Sequence, residues 1–297
     1  MLREIEIEIL RFFTNLQQPV LDQIAWVLTF LGDETFYFII LPFVFWCVSK
    51  GFGIRLLYVF VVSVYVNAWL KTLFAVTRPV GYEGLGINSL YVESAEVGSR
   101  FPHDSFPSGH AQGSTTLWGY IAYRVNQPIT WIIALVLILL ISIARVYTGV
   151  HWPSDIIGGI AIAIIIITVC HFVEKFLQSI TDGGKIVLAV VLPIVMVFLF
   201  TDPEGFSYSG FLLGAGIGYF VEKHYVRMAI PVSWFKRIIA YIIGILVLFG
   251  LQTGLKEILP DLAIYDGLRY MILGLWGLWF APWVFVKIGL YERDRGY

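Results

Sequence analysis

Apolar runs of nearly membrane length recur along the chain, at about 35–49, 54–74, 108–124, 128–148, 153–175, 185–201, 206–222, 236–254 and 267–289. A helix needs ~20 residues to cross a ~30 Å hydrocarbon layer, so some runs reach only with tilt or local thinning, and the shortest are candidates for re-entry. Lipid offers no partner to backbone N–H and C=O groups, which forces such runs to close their hydrogen bonds within helices. The expected fold is therefore all-α, a polytopic helical membrane protein with eight or nine transmembrane helices. Composition points the same way. With 58% hydrophobic and 14% charged residues, the chain lacks the polar residues that clothe a soluble surface, where roughly a quarter are charged. A formal net charge of −1 leaves no basic excess and argues against a nucleic-acid partner. Cys47 and Cys170 sit inside apolar runs and read as small buried hydrophobes.

The opening 1–34 breaks the pattern. Glu4, Glu6, Glu8, Asp22, Asp33 and Glu34 are spread through it among Ile, Leu and Phe, which predicts an amphipathic segment lying in the interface and not a span. No apolar stretch followed by a small-residue cleavage site is present, so a cleaved signal peptide is not expected. If all nine runs span, twelve basic residues, from Lys50 and Arg55 to Arg293 and Arg295, fall on one face. Arg3, Arg11, Arg100, Lys256 and Arg269 fall on the other, with acidic stretches that begin at Glu93, Asp202 and Glu257. The positive-inside rule puts the first face in the cytoplasm. Gly210, Gly214 and Gly218 recur at four-residue spacing, a small-residue face suited to close helix packing, and Gly158 and Gly159 read the same way.

Chemistry concentrates at the two ends of the long polar connection, about 76–107, and just after the run at 128–148. Tyr82, Leu85, Ile87, Tyr91, Phe101 and Phe106 punctuate that connection and would let it lie back on the protein or the bilayer. At its near end stand Lys71 and Arg78, followed by Pro79. Lys71 by itself is compatible with a lysine that snorkels to the interface. At the far end, FPSGHAQGS puts Ser108 after a proline and ahead of an apolar run, as a candidate N-cap. Gly109 lets a backbone N–H come close to a ligand and His110 falls in the first turn, so this helix start could hold an anion.

The third cluster is ARVYTGVHWPSD. Arg145 ends an otherwise apolar run, where an unpaired guanidinium costs about 3 kcal/mol, so an anionic partner is expected. His151 precedes Pro153, a natural first helical residue, and Asp155 falls in the first turn, either as a cap or as a partner of His151. The alternation of spans brings all three clusters to one membrane face. Three cations and a helix N-terminus suit a phosphoryl group and its transition state. A histidine oriented by a carboxylate can act as nucleophile, and a second histidine can protonate the leaving oxygen. Neighbouring Lys and Arg disfavour a metal ion and no HxxxH or HExxH spacing occurs, so neither a metal nor another cofactor is expected.

These clusters resemble the signature of the type 2 phosphatidic acid phosphatase superfamily. Lys71, Arg78 and Pro79 match its Lys, six residues, Arg-Pro pattern, and Pro107, Ser108, Gly109 and His110 match Pro-Ser-Gly-His. Arg145, His151 and Asp155 match the third pattern, in which Ala144 replaces the family's serine before the arginine. The resemblance covers about residues 20–178. It implies that His151 attacks phosphorus, that Asp155 orients it and that His110 protonates the leaving group. Lys71, Arg78, Ser108, Gly109 and Arg145 would bind the phosphate oxygens, with no metal. A catalytic helix-bundle core is accordingly expected at 35–178, and the remaining 179–297, outside the resemblance, reads as a transmembrane extension. That extension could wall the pocket, form a homodimer face through the glycine stripe, or act as a separate module. The implied substrate is a phosphate monoester or diphosphate of a lipid, such as phosphatidic acid, phosphatidylglycerophosphate or a polyprenyl diphosphate. It would be taken from the bilayer of the plasma membrane, on the non-cytoplasmic face. The nine-span plan is similar to the glucose-6-phosphatase branch, so hydrolysis of, or phosphotransfer from, a soluble sugar phosphate is an alternative. A non-catalytic binder or transporter of lipid phosphates is another, although polar residues gathered near one surface favour an enzyme.

Overall fold

The computed structural model describes residues 2–82, 84–87, 90 and 102–294. Tyr91, Glu93, Arg100, Phe101 and Arg295, on which parts of the reading above rest, lie outside the described residues. Two short helices open the chain, α1 (Leu2–Thr14) and α2 (Pro19–Phe30). Helices then form at every apolar run. They are α3 (Glu34–Phe43, prolonged by a π-helical turn at Val44–Val48), α4 (Lys50–Phe74), α5 (Gly109–Val125), α6 (Pro128–Tyr147) and α7 (Pro153–Ser179). After these come α8 (Asp182–Leu199), α9 (Pro203–Val221), α10 (Trp234–Ile258), α11 (Ala263–Leu275) and α12 (Ala281–Lys287). Proline opens α2, α6 and α9, where its missing N–H leaves no hydrogen bond unmade. Among the described residues, strand structure is limited to one antiparallel pair, β1 (Met228–Ala229) with β2 (Glu292–Arg293). The all-α expectation is borne out.

Among the described residues, six helical stretches are long and apolar enough to cross a membrane: α4, α6, α7, α8, α10 and Ala263–Lys287. The pair formed by α2 and α3, bent by 52°, raises this to seven. The runs at 108–124 and 206–222 do become helices, α5 and α9, but neither belongs to the six. In α5 the reason is visible: it has only 17 residues, and these include the buried polar side chains of Gln112, Ser114, Thr115 and Thr116.

The residues fall into two compact units, one containing the residues up to Tyr37 and Val62–His171, the other Phe38–Val61 and Phe172–Tyr297. In the first, a polar ladder joins α4 to α5. Gln112 donates to Ser63 O (2.7 Å), Asn67 donates to Gln112 Oε1 (2.8 Å), and the Ser63 and Thr116 hydroxyls lie 2.8 Å apart. Such a buried network fixes register, because each misplaced partner would strand a polar group. Close contact of α7 with the start of α5 depends on Gly159, where a Cβ would lie 2.7 Å from Ser108 O. The helix α1 is amphipathic, exposing Leu2, Ile5 and Phe12 while burying Glu6 and Leu10.

In the second unit, the glycine stripe on α9 meets α11. A Cβ at Gly210 would come within 2.1 Å of Gly267 O, and one at Gly214 within 2.0 Å of Met271 O. The stripe is therefore filled inside the chain by α11 and is not a free face for a second copy. The same unit buries Glu222, which accepts hydrogen bonds from Lys50 Nζ (2.7 Å) and Met228 N (2.8 Å).

Candidate active site

The connection after α4 folds back on itself, and this brings the first two sequence clusters together. Arg78 N donates to Pro102 O (2.8 Å) and Ser105 N donates to Val76 O (2.9 Å), so its two ends run side by side. Ser108 N donates to Asp155 O (3.0 Å), which ties the start of α5 to the start of α7. All eight expected residues consequently lie in the first compact unit.

Each side chain can be placed. Lys71, in the last turn of α4, is buried and its Nζ lies 3.7 Å from Asp104 Oδ2. It does not snorkel. Arg78 is held in a fork by Asp104, with Nε to Oδ1 at 2.7 Å and Nη2 to Oδ2 at 2.9 Å. Such bidentate pairing fixes the guanidinium plane. Its Nη1 then lies 3.5 Å from both Val150 O and His151 Nε2. Ser108 is the N-cap of α5, its hydroxyl accepting from Ala111 N. At Gly109 a Cβ would stand 3.3 Å from Asn67 Oδ1 and 4.0 Å from Lys71 Nζ, so the bare backbone faces the lysine. His110 Nε2 is buried without a hydrogen-bond partner among the described residues.

Arg145 is fully buried near the end of α6. Its Nη1 donates to Thr29 Oγ1 (3.2 Å), while Nε and Nη2 have no hydrogen-bond partner among the described residues. His151 and Asp155 are both buried, with Nδ1 and Oδ2 3.4 Å apart. That is ion-pair distance but longer than a hydrogen bond. The same Oδ2 accepts from Ser105 Oγ (2.5 Å) and Trp152 N (2.8 Å). Asp155 thus caps the start of α7 and faces the imidazole as well, so the two roles weighed from the sequence coexist.

Both imidazoles lie within electrostatic reach of the same three cations, Lys71, Arg78 and Arg145. Burial, and then the positive charge of Arg78 and Arg145, hold the pKa of His151 well below the ordinary imidazole value. This favours the neutral ring, which keeps a lone pair on one of its two nitrogens.

Sequence reasoning missed Asp104, Ser105, Asn67 and Thr29. Asp104 stands four residues before the N-cap in a polar connection, where a carboxylate draws no notice. Its burial between two cations was the one fact that could have marked it, and burial is not written in local sequence. Thr29 comes from the opening segment, more than a hundred residues from Arg145.

A family model described as the PAP2 superfamily matches residues 52–178, and a second, the transmembrane extension of PAP2 superfamily phosphatases, matches 206–293. The chain belongs to the PAP2 superfamily. Lys71 through Asp155 fall within the first PAP2 match, and the α9–α12 region falls within the second; α1 to α3 precede both. Sphingosine-1-phosphate phosphatase 2 of Mus musculus is 25% identical over 185 residues, covering 60% of this chain and 50% of that protein. An undecaprenyl-diphosphatase of Sulfolobus acidocaldarius is 33% identical over 113 residues, covering 37% and 50%. Phosphatidylglycerophosphatase B of Bacillus subtilis is 27% identical over 164 residues, covering 51% and 74%. The chain thus spans half the length of the first two of these relatives. The resemblance read from the three motifs is borne out.

Proposed function

We propose that this chain is a metal-independent membrane phosphatase that hydrolyses a phosphate monoester or diphosphate of a lipid. The observation that carries the reading is Arg145, a buried guanidinium with two unpartnered donor nitrogens, set among two more buried cations beside a neutral His151. An isolated buried charge is costly, and a phosphate dianion is the ligand that would satisfy it.

In this reading His151 Nε2, on the side of Arg78, attacks phosphorus, and the bond from phosphorus to the ester oxygen breaks. His110, protonated as the phosphate dianion enters, gives its Nε2 proton to that oxygen and becomes neutral. The alcohol leaves and a phosphohistidine remains. Neutral His110 then takes a proton from water, whose oxygen attacks phosphorus, and the P–N bond breaks to free His151 and inorganic phosphate. Asp155 stabilises the positive charge that grows on His151 during attack. Lys71, Arg78, Arg145, the Ser108 hydroxyl and the N–H of Gly109 hold the equatorial oxygens. These cations supply the positive charge that a metal ion brings elsewhere.

A lipid is the favoured substrate class because the relatives named above act, by their names, on phosphates carried by long apolar groups. The apolar side chains that α1 and α2 expose, Ile5, Phe12, Val20, Ile24 and Trp26 among them, suit an element lying at the bilayer surface. The distribution of basic residues supports a site on the non-cytoplasmic face of its membrane, which we take to be the plasma membrane.

The test offers the purified full chain a panel of phosphatidic acid, a polyprenyl diphosphate and glucose 6-phosphate, with EDTA present, and measures released phosphate. Turnover of the lipid phosphates, abolished in His151→Asn, is expected. Preference for the sugar phosphate would move the assignment to a soluble ester. Loss of activity in EDTA, or normal turnover by His151→Asn, would sink the mechanism. Flux of lipid phosphate across proteoliposomes without hydrolysis would point to transport.

A further inference from the structure

The elbow between α2 and α3 precedes both superfamily matches, yet it touches two residues of the site. Thr29, 1% exposed, accepts a hydrogen bond from Arg145 Nη1 at 3.2 Å. Gly32 N donates to Thr29 O at 2.9 Å, which holds the two residues one turn apart. A Cβ at Gly32 would fall 2.8 Å from His110 Cδ2, 3.2 Å from His110 Cβ and 3.1 Å from Ile141 Cγ2. The imidazole therefore rests against bare backbone, and no methyl group fits there unless the ring moves. The elbow is itself pinned, with Asp33 N donating to Phe30 O (3.1 Å) and Thr35 N donating to Asp33 Oδ1 (2.9 Å).

We propose that this elbow is a fourth wall of the active site. Thr29 is a positioning residue that orients Arg145, and Gly32 is the clearance that lets His110 present Nε2 to the leaving group. The inference rests on the phosphatase reading given above. Its logic is geometric. Thr29 takes up one nitrogen of the guanidinium and leaves Nε and Nη2 directed at an anion. The His110 ring rests against Gly32, and its Nε2 has no hydrogen-bond partner among the described residues.

The two roles predict different kinetic signatures. General-acid catalysis matters for a leaving group of high pKa and little for an activated one. Gly32→Ala, by displacing His110, should lower kcat/KM for an alkyl lipid phosphate by at least about tenfold while changing p-nitrophenyl phosphate hydrolysis by less than about threefold. Thr29→Val should raise KM by about tenfold on both substrates, the loss of one hydrogen bond to a charged group, and Thr29→Ser should restore it. Thermal unfolding in detergent verifies that each variant is folded. If Gly32→Ala does not accumulate folded, the Val and Ser pair at Thr29 decides alone.

Equal losses on both substrates in folded Gly32→Ala, or a Thr29→Val enzyme that matches Thr29→Ser, would overturn the proposal. A wild-type chain that releases phosphate from neither substrate defeats the phosphatase reading instead. His151-dependent turnover that ignores both elbow positions defeats the elbow alone.

Discussion

Replacing Arg145 with methionine should make the resting protein more stable and deaf to phosphate. Most truncations of a fully buried side chain destabilise, so the sign of this prediction is informative. Arg145 leaves Nε and Nη2 without partners in the interior. An unsatisfied buried donor costs about 1–3 kcal/mol. Methionine keeps most of the apolar stem and removes both donors along with the charge. Against this stands the loss of the bond to Thr29 Oγ1, which leaves that hydroxyl alone, at about 1–2 kcal/mol. The balance favours the variant by about 0–5 kcal/mol, in the manner of buried ionic groups replaced by apolar ones of similar volume. The assay is denaturant unfolding of the detergent-solubilised protein, with and without inorganic phosphate. A ligand at a hundred times its Kd stabilises the wild type by about 2.7 kcal/mol, and Arg145→Met should show little of this shift. Its kcat/KM should fall by about a hundredfold or more. An Arg145→Met protein that is less stable without phosphate, or that keeps the full phosphate shift, would refute the idea that this guanidinium awaits an anion.

Further outcomes follow from other contacts. Because His151 is held neutral in the fold, the unfolded chain takes up a proton below pH ~6.5 that the native state refuses, so this group's contribution is complete above that pH and is lost as pH falls. Stability should therefore decline by up to ~1.4 kcal/mol per pH unit from this one group, and unfolding midpoints of His151→Asn should fall less steeply on acidification. On α9, Gly214→Ala drives a Cβ to within 2.0 Å of Met271 O and should destabilise by at least about 2 kcal/mol. Gly250→Ala, with nothing within 4 Å of its new Cβ, should be neutral or gain up to about 1 kcal/mol in the same unfolding measurement.

Much of the site was legible because membrane helices expose their exceptions. A lysine, two arginines, two histidines and an aspartate at the ends of apolar runs stand out against lipid, and alternation of spans predicts that they share a face. The N-cap at Ser108 and the first-turn position of Asp155 follow from Pro107 and Pro153, which mark helix starts in the sequence. What escaped were residues whose meaning comes from a partner far along the chain. Thr29, Gly32, Asp104 and Ser105 are ordinary in composition and become significant only through Arg145, His110, Arg78 and Asp155. The glycine stripe was legible as a packing face, but not its partner. Any helix with an accessible backbone would have satisfied the spacing, and α11 supplies that backbone from within the chain.

Asp104 changes how the phosphate site must be understood. Lys71, Arg78 and Arg145 are three buried cations, and Asp104 and Asp155 are two buried carboxylates, so these buried groups carry one net positive charge, while the half-buried Asp33 acts on Arg145 from the elbow. Three unopposed cations would bind phosphate tightly and, by the same attraction, would bind the product as tightly as the substrate. Uniform binding of that kind does not accelerate the chemical step. Asp104 takes two of the donor groups of Arg78 and approaches Lys71, which moderates the field without removing either cation. The fork also directs the remaining nitrogen, Nη1, towards His151 Nε2, where the new bond to phosphorus would form. A dianion entering the site then meets a surplus of one charge. The attack by His151 moves positive charge onto the imidazole, where Asp155 is already in place to oppose it. The two carboxylates thus answer different moments of the reaction, one moderating ground-state binding and the other stabilising the charge that develops during transfer.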